Sequence, residues 1–130
     1  MTEIKNASDF FIKSHHNKFL AINLSNFYLE QVENINEKFI AIKYDNANNF
    51  LYINYKNHRF FLKNISEFNQ INLSHNFCDK NFKILTNLGY ITIYSLRNEM
   101  YLSARKDHEN SHFFFKSEVK EWEKFKLVQI

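Results

Sequence analysis

Short apolar runs broken by polar turns recur along the whole chain, and several of them repeat in order. Lys38-Phe39-Ile40-Ala41-Ile42, Asn81-Phe82-Lys83-Ile84-Leu85 and Lys124-Phe125-Lys126-Leu127-Val128 place their phenylalanines 43 residues apart each time. A second phrase keeps nearly the same spacing: Phe19-Leu20, Phe61-Leu62 and Tyr101-Leu102 lie 42 and 40 residues apart, and Phe11, Ile53 and Ile93 stand nine residues before the three leucines. Recurrence at this period is the mark of one structural unit copied to share a core.

Helical periodicity is weak, whereas runs of β-branched and aromatic residues return about every 8 to 12 residues, which is an all-β rhythm. The pattern predicts strands at 10–14, 19–23, 27–32 and 38–44, then at 50–55, 60–64, 70–74 and 81–86, then at 90–95, 100–104, 112–116 and 123–128. Turns are expected at His15-His16-Asn17-Lys18, Lys56-Asn57-His58-Arg59 and Leu96–Glu99, and at the polar stretches between the later strands. Alternation leaves one face of each strand apolar. Three units of four strands favour a closed arrangement, because open sheet edges invite aggregation. The β-trefoil meets these conditions. A sandwich does not account for the 43-residue period, and a three-bladed propeller falls below the usual blade number. The expectation is one all-β domain over residues 1–130, with repeats at about 8–46, 47–88 and 89–130 and a centre built from Phe11, Leu20, Phe39, Ile53, Leu62, Phe82, Ile93, Leu102 and Phe125.

Composition sharpens this picture in one respect. Fifteen Phe and seven Tyr against one Gly and no Pro call for large rings in the core and for turns made by Asn, Asp and Ser. The one cysteine, Cys78, has no internal partner for a disulfide, which suits a reducing compartment, and reads as a small turn residue rather than a reactive thiol. No apolar run approaches the ~18 residues that span a bilayer, and Met1-Thr2-Glu3-Ile4-Lys5 lacks signal-peptide design, so a cytoplasmic protein is expected.

The segments Phe11-Ile12-Lys13-Ser14-His15-His16-Asn17-Lys18-Phe19-Leu20, Tyr101-Leu102-Ser103-Ala104 and Trp122-Glu123-Lys124-Phe125-Lys126-Leu127 resemble the hisactophilin and fascin-like β-trefoil family. The resemblance covers nearly the whole chain as repeat layout plus these short matches. It implies a non-enzymatic, cytosolic module that binds actin filaments, with histidine-containing turns making binding sensitive to pH. Two departures bear on what carries over. The chain has only six histidines, and Thr2 rather than glycine follows Met1, so no myristoyl anchor is expected.

The basic residues concentrate around the first turn of each unit: Lys13 and Lys18; Lys56, Arg59 and Lys63; Arg97, Arg105 and Lys106. With His15, His16 and His58 they form the candidate contact for an acidic partner, on one rim if the units are related by threefold symmetry. An actin filament is the partner that the resemblance implies, and an anionic lipid surface also suits the charge. Protonating all six histidines would triple the formal charge of +3. No His/Cys spacing suggests a metal, and no cofactor motif is present. No carboxylate pair recurs at cleft-like positions, no phosphate loop or nucleophile elbow is present, and no enzyme is expected.

A carbohydrate-binding or general protein-interaction module is the alternative. Glu37, Lys80 and Glu123 stand where the Gln of a Gln-x-Trp lectin signature would, and Phe stands for the Trp, so that pattern is missing in all three units. Trp122 could stack on a sugar or pack beneath the last strand. Nucleic acid is disfavoured because the aromatics follow core alternation. Phe113-Phe114-Phe115 breaks that alternation, so one ring should point outward unless a neighbouring segment covers it. A monomer is expected.

Overall fold

The computed structural model describes residues 9–66, 69–76, 81–87, 89–106 and 112–130. Cys78 and His108 lie outside the described residues, as do the leader before Asp9 and the turn residues Asp107 and Glu109. The described chain is all-β and antiparallel, with strands β1 (Asp9–Lys13), β2 (Phe19–Asn23), β3 (Leu29–Val32), β4 (Phe39–Ala41), β5 (Lys43–Asp45), β6 (Phe50–Tyr55), β7 (His58–Ile65), β8 (Ile71–Ser74), β9 (Phe82–Asn87), β10 (Tyr90–Ser95), β11 (Met100–Ala104), β12 (Phe113–Lys116) and β13 (Lys126–Gln129). A 3-10 turn, Glu121–Glu123, precedes β13, and among the described residues no helix is long and apolar enough to cross a membrane.

Predicted and observed strands agree within a few residues, with two informative differences. The fourth strand of the first unit is split at Ile42: β4 pairs with β2, whereas β5 pairs with β1 and β6. Ile42 is the pivot, its side chain 1% exposed and its N–H bonded to the Leu20 carbonyl at 3.0 Å. The second difference is the β6–β7 turn, which has two residues rather than four. Lys56 and Asn57 both take positive φ, 51° and 66°, the mirror-image turn whose twist matches that of the flanking strands. His58 and Arg59 therefore belong to β7, paired with Tyr55 and Asn54, and are not turn residues. Asn17, Asn49 and Asn69 also take positive φ, which bears out Asn as the substitute for Gly.

The strands that begin and end the units pair in succession. β13 joins β1, β1 joins β5, β5 joins β6 and β9 joins β10; β6 touches β9, and a bridge between Ile91 and Phe125 connects the third unit to the segment entering β13. The remaining strands other than β4 form the hairpins β2–β3, β7–β8 and β11–β12. These hairpins hold one another. Leu29 N–H bonds to the Asn69 carbonyl at 2.7 Å and Ile71 N–H to the Phe27 carbonyl at 2.9 Å, while the Asn69 side chain accepts from Phe113 N–H at 2.7 Å and donates to its carbonyl at 2.9 Å. On the other side Gln31 donates from its backbone N–H to His112 Nδ1 and from its amide to the Arg105 carbonyl.

The core holds Leu20, Ile53, Leu62, Ile93, Leu102 and Phe125 as expected, but Phe11, Phe39 and Phe82 are only half-buried. Ile12, Ile42 and Ile84 take the inward places instead, at 0%, 1% and 4% exposure. In β1 the apolar run Phe10-Phe11-Ile12 offers no alternation to read, and pairing on both edges decides which residue faces inward.

Two tyrosines are buried with their hydroxyls bonded: Tyr52 donates to Asp9 at 2.7 Å and Tyr44 to Asn49 at 2.5 Å. Burial first, then the bond to Asp9, pushes the Tyr52 phenol well above its ordinary value of 10.0; burial, then the Asp45 charge, raises that of Tyr44. The folded chain thus keeps protons that the unfolded chain releases above about pH 10, so this contribution is complete below that pH and is lost as pH rises further. Urea midpoints should therefore fall steeply in alkali, and the pair Tyr52→Phe and Tyr44→Phe should flatten that fall; an unchanged alkaline slope in the double variant would exclude these phenols as its source.

Candidate functional site

The first turn is built to aim two histidines in different directions. Ser14, fully buried, accepts Asn17 N–H at its carbonyl (2.9 Å) and His16 N–H at its hydroxyl (3.2 Å), and Asn17 closes the turn at φ 63°. His16 is turned inward, its Nε2 lying 3.0 Å from the Ala104 carbonyl oxygen. A carbonyl can only accept, so Nε2 carries the proton. His15 points outward, with Nδ1 at 3.7 Å from Glu121.

Trp122 stands against this turn, its ring centre 5.3 Å from that of His16 and at 72° to it. The 3-10 turn that carries it is held by a buried carboxylate. Glu123, 4% exposed, accepts the Lys120 N–H at 2.6 Å and the Ser103 hydroxyl at 2.5 Å. The position where a lectin signature would have Gln is here a structural brace. Phe114 lies edge-on to Trp122 at 6.5 Å, and its own ring is covered by Arg105 at 5.7 Å and Lys116 at 4.7 Å. Phe113 is the buried member of its run, and Phe114 is the outward ring, partly covered by these cations.

Phe114, Lys116, Ser117, Glu118, Lys120, Glu121, Trp122 and Glu123 line an open groove of about 530 Å³. Trp122, 37% exposed, forms part of its wall. Lys120 approaches Glu118 at 3.9 Å and Lys124 approaches Glu121 at 3.6 Å. Exposed pairs of this kind are worth about 0–1 kcal/mol, so they exchange readily for a partner's charges.

The structure thus brings together His15, His16 and Arg105, from segments 88 residues apart in the case of His16 and Ala104. The other expected contact residues make different contacts. Lys13 covers the Phe19 ring at 4.5 Å, Lys56 the Tyr55 ring at 5.2 Å, and Arg59 the Tyr52 ring at 4.2 Å. Lys18 is half-buried at the end of the first turn, His58 and Lys63 are exposed on β7, and Lys106 is exposed after β11. Arg97 faces the β7–β8 hairpin across a shallow depression of about 640 Å³ shared with Asn64, Asn72 and Phe115. The first turns of units one and three meet different neighbours: that of unit one lies against β11 and the 3-10 turn, that of unit three against β7 and β8.

Lys116 and Lys120 were not among the residues expected from sequence. Lys116 was legible in principle, since two residues after Phe114 on a strand means the same face. Lys120 had no such signal, because only the buried Glu123 fixes its segment. No known protein-family model matches the chain, and no curated protein matches it.

Proposed function

We propose that this chain is a β-trefoil of the hisactophilin and fascin-like kind, acting in the cytoplasm as a non-enzymatic, monomeric binding module whose first partner is the actin filament. The 43-residue recurrence, the three hairpins and the successive pairing of the strands that begin and end the units support the fold. The observation that carries the functional reading is the convergence of His15, His16, Arg105 and Lys116 around a half-exposed Trp122. Trp and Arg are the residues that most often anchor protein interfaces, and flanking cations suit an acidic surface such as actin's.

Co-sedimentation with filamentous actin tests it. Saturable binding is expected, and the resemblance to the hisactophilin and fascin-like proteins implies that it is stronger near pH 6 than at neutral pH. Trp122→Ala and Arg105→Glu should each weaken it by about tenfold or more, while reversal of Lys56, Arg59 and Lys63 to Glu tests the basic residues of the β6–β7 turn and β7. Loss of binding in that triple variant alone would move the contact to β6–β7, and no binding at either pH would reject actin. The groove beneath an exposed Trp favours carbohydrate as the second reading, for which a glycan array is the test.

A further inference from the structure

Five histidines fall among the described residues, and three have their ring nitrogens engaged. His15 faces Glu121, His16 bonds the Ala104 carbonyl, and His112 accepts from Gln31 with Glu30 at 3.7 Å from its other nitrogen. His58 and His75 are the remaining two, and they are neighbours.

The sheet puts them there. β7 and β8 pair with Phe61 opposite Ser74, so His75, one residue past β8, falls opposite Phe60, and His58 lies two residues along on the same face. The two imidazole centres are 6.2 Å apart with ring planes at 88°, and Phe60 packs on His75 at 4.5 Å. Both side chains are exposed, and neither imidazole has a hydrogen-bond or ion-pair partner among the described residues. No group of three or more potential ligands occurs among those residues, so the pair is an open, two-imidazole arrangement.

We propose that His58 and His75 bind a first-row divalent transition-metal ion, with water completing its coordination. A metal about 2.0–2.1 Å from one nitrogen of each ring sits roughly 3 Å from each ring centre, which places two ligating imidazoles about 5–6 Å apart. The observed separation of 6.2 Å lies just beyond that range, and both side chains are exposed. Imidazole nitrogen selects zinc, nickel and copper over calcium or magnesium, and copper(II) binds tightest in the general order of affinities. A bound ion ties the start of β7 to the end of β8, so it stabilises the hairpin by mass action.

The test is titration of the full-length protein with copper(II) sulfate, and separately with zinc(II) and magnesium(II), followed by histidine ring NMR signals and by thermal unfolding. Copper(II) should broaden His58 and His75 first and together and raise the melting temperature, whereas magnesium(II) should do neither. His58→Asn and His75→Asn should each weaken copper(II) binding by about tenfold or more and remove the rise in melting temperature. Both substitutions fall on exposed side chains, so the fold should persist. Either variant binding copper(II) as well as the parent, or broadening that begins at His15 and His16, would overturn the proposal.

Discussion

Phe125→Ala is expected to cost about 3–5 kcal/mol, a large part of the ~5–15 kcal/mol that holds a domain of this size. Its ring is fully buried, and its backbone exchanges two hydrogen bonds with Ile91, at 2.8 and 2.9 Å, where the third unit meets the last strand. An alanine there leaves a cavity beside Ile91 and Ile93, both fully buried and too constrained by their strands to collapse into it. Urea unfolding of this variant beside Phe39→Ala and Phe82→Ala makes the comparison decisive. The three phenylalanines are equivalent in the repeat but not in burial, so the latter two should lose distinctly less. Equal losses at all three positions would mean that place in the repeat, rather than burial, sets the energy.

Asn69→Ala is expected to be nearly as damaging, at about 2–4 kcal/mol, although it removes only an amide. Asn69 is 3% exposed, and its side chain both accepts from and donates to the backbone of Phe113, joining the β7–β8 hairpin to β12. Deleting it removes two buried hydrogen bonds and costs about 1–3 kcal/mol for each group left without a partner. It also places alanine at φ 66°, which favours Asn or Gly. Asn69→Gly separates the two effects, since glycine keeps the turn and loses only the bonds. If Asn69→Gly unfolds at the same urea concentration as the parent, the hydrogen bonds carry no stability and the loss in alanine is conformational.

Much of the architecture could be read from the chain because strands declare themselves locally. Runs of five or six residues rich in Ile, Leu, Phe and Tyr mark β2, β6 and β10 at the residues where they occur, and the recurring aromatic-Leu pair marks β11. Recurrence at a fixed period then says that the runs belong to one repeated plan. Reading fails where two strands compete for one segment. Lys38–Tyr44 looks like a single strand, and only the presence of both β2 and β1 as partners breaks it at Ile42. It fails again at Phe10-Phe11-Ile12, where three apolar residues in a row leave the inward face undetermined by pattern.

The candidate site divides in the same way. Histidine and basic residues near the first turns, an outward ring in Phe113–Phe115 and a lone Trp were each visible as separate features. That His16, Arg105, Phe114 and Trp122 meet was not, because the contact spans 88 residues and depends on a buried glutamate that fixes the turn before β13.

The amino-acid sequence by itself determined the all-β character, the approximate bounds of most strands, and the use of Asn where the backbone turns left-handed, since each follows from side chains acting on their own stretch of backbone. Tertiary structure alone decided which phenylalanines are core, which strand pairs with which, and which histidine rings stand side by side. Those outcomes depend on neighbours brought from elsewhere in the chain, and pairing register, burial and hydrogen-bond partners exist only once those neighbours are in place.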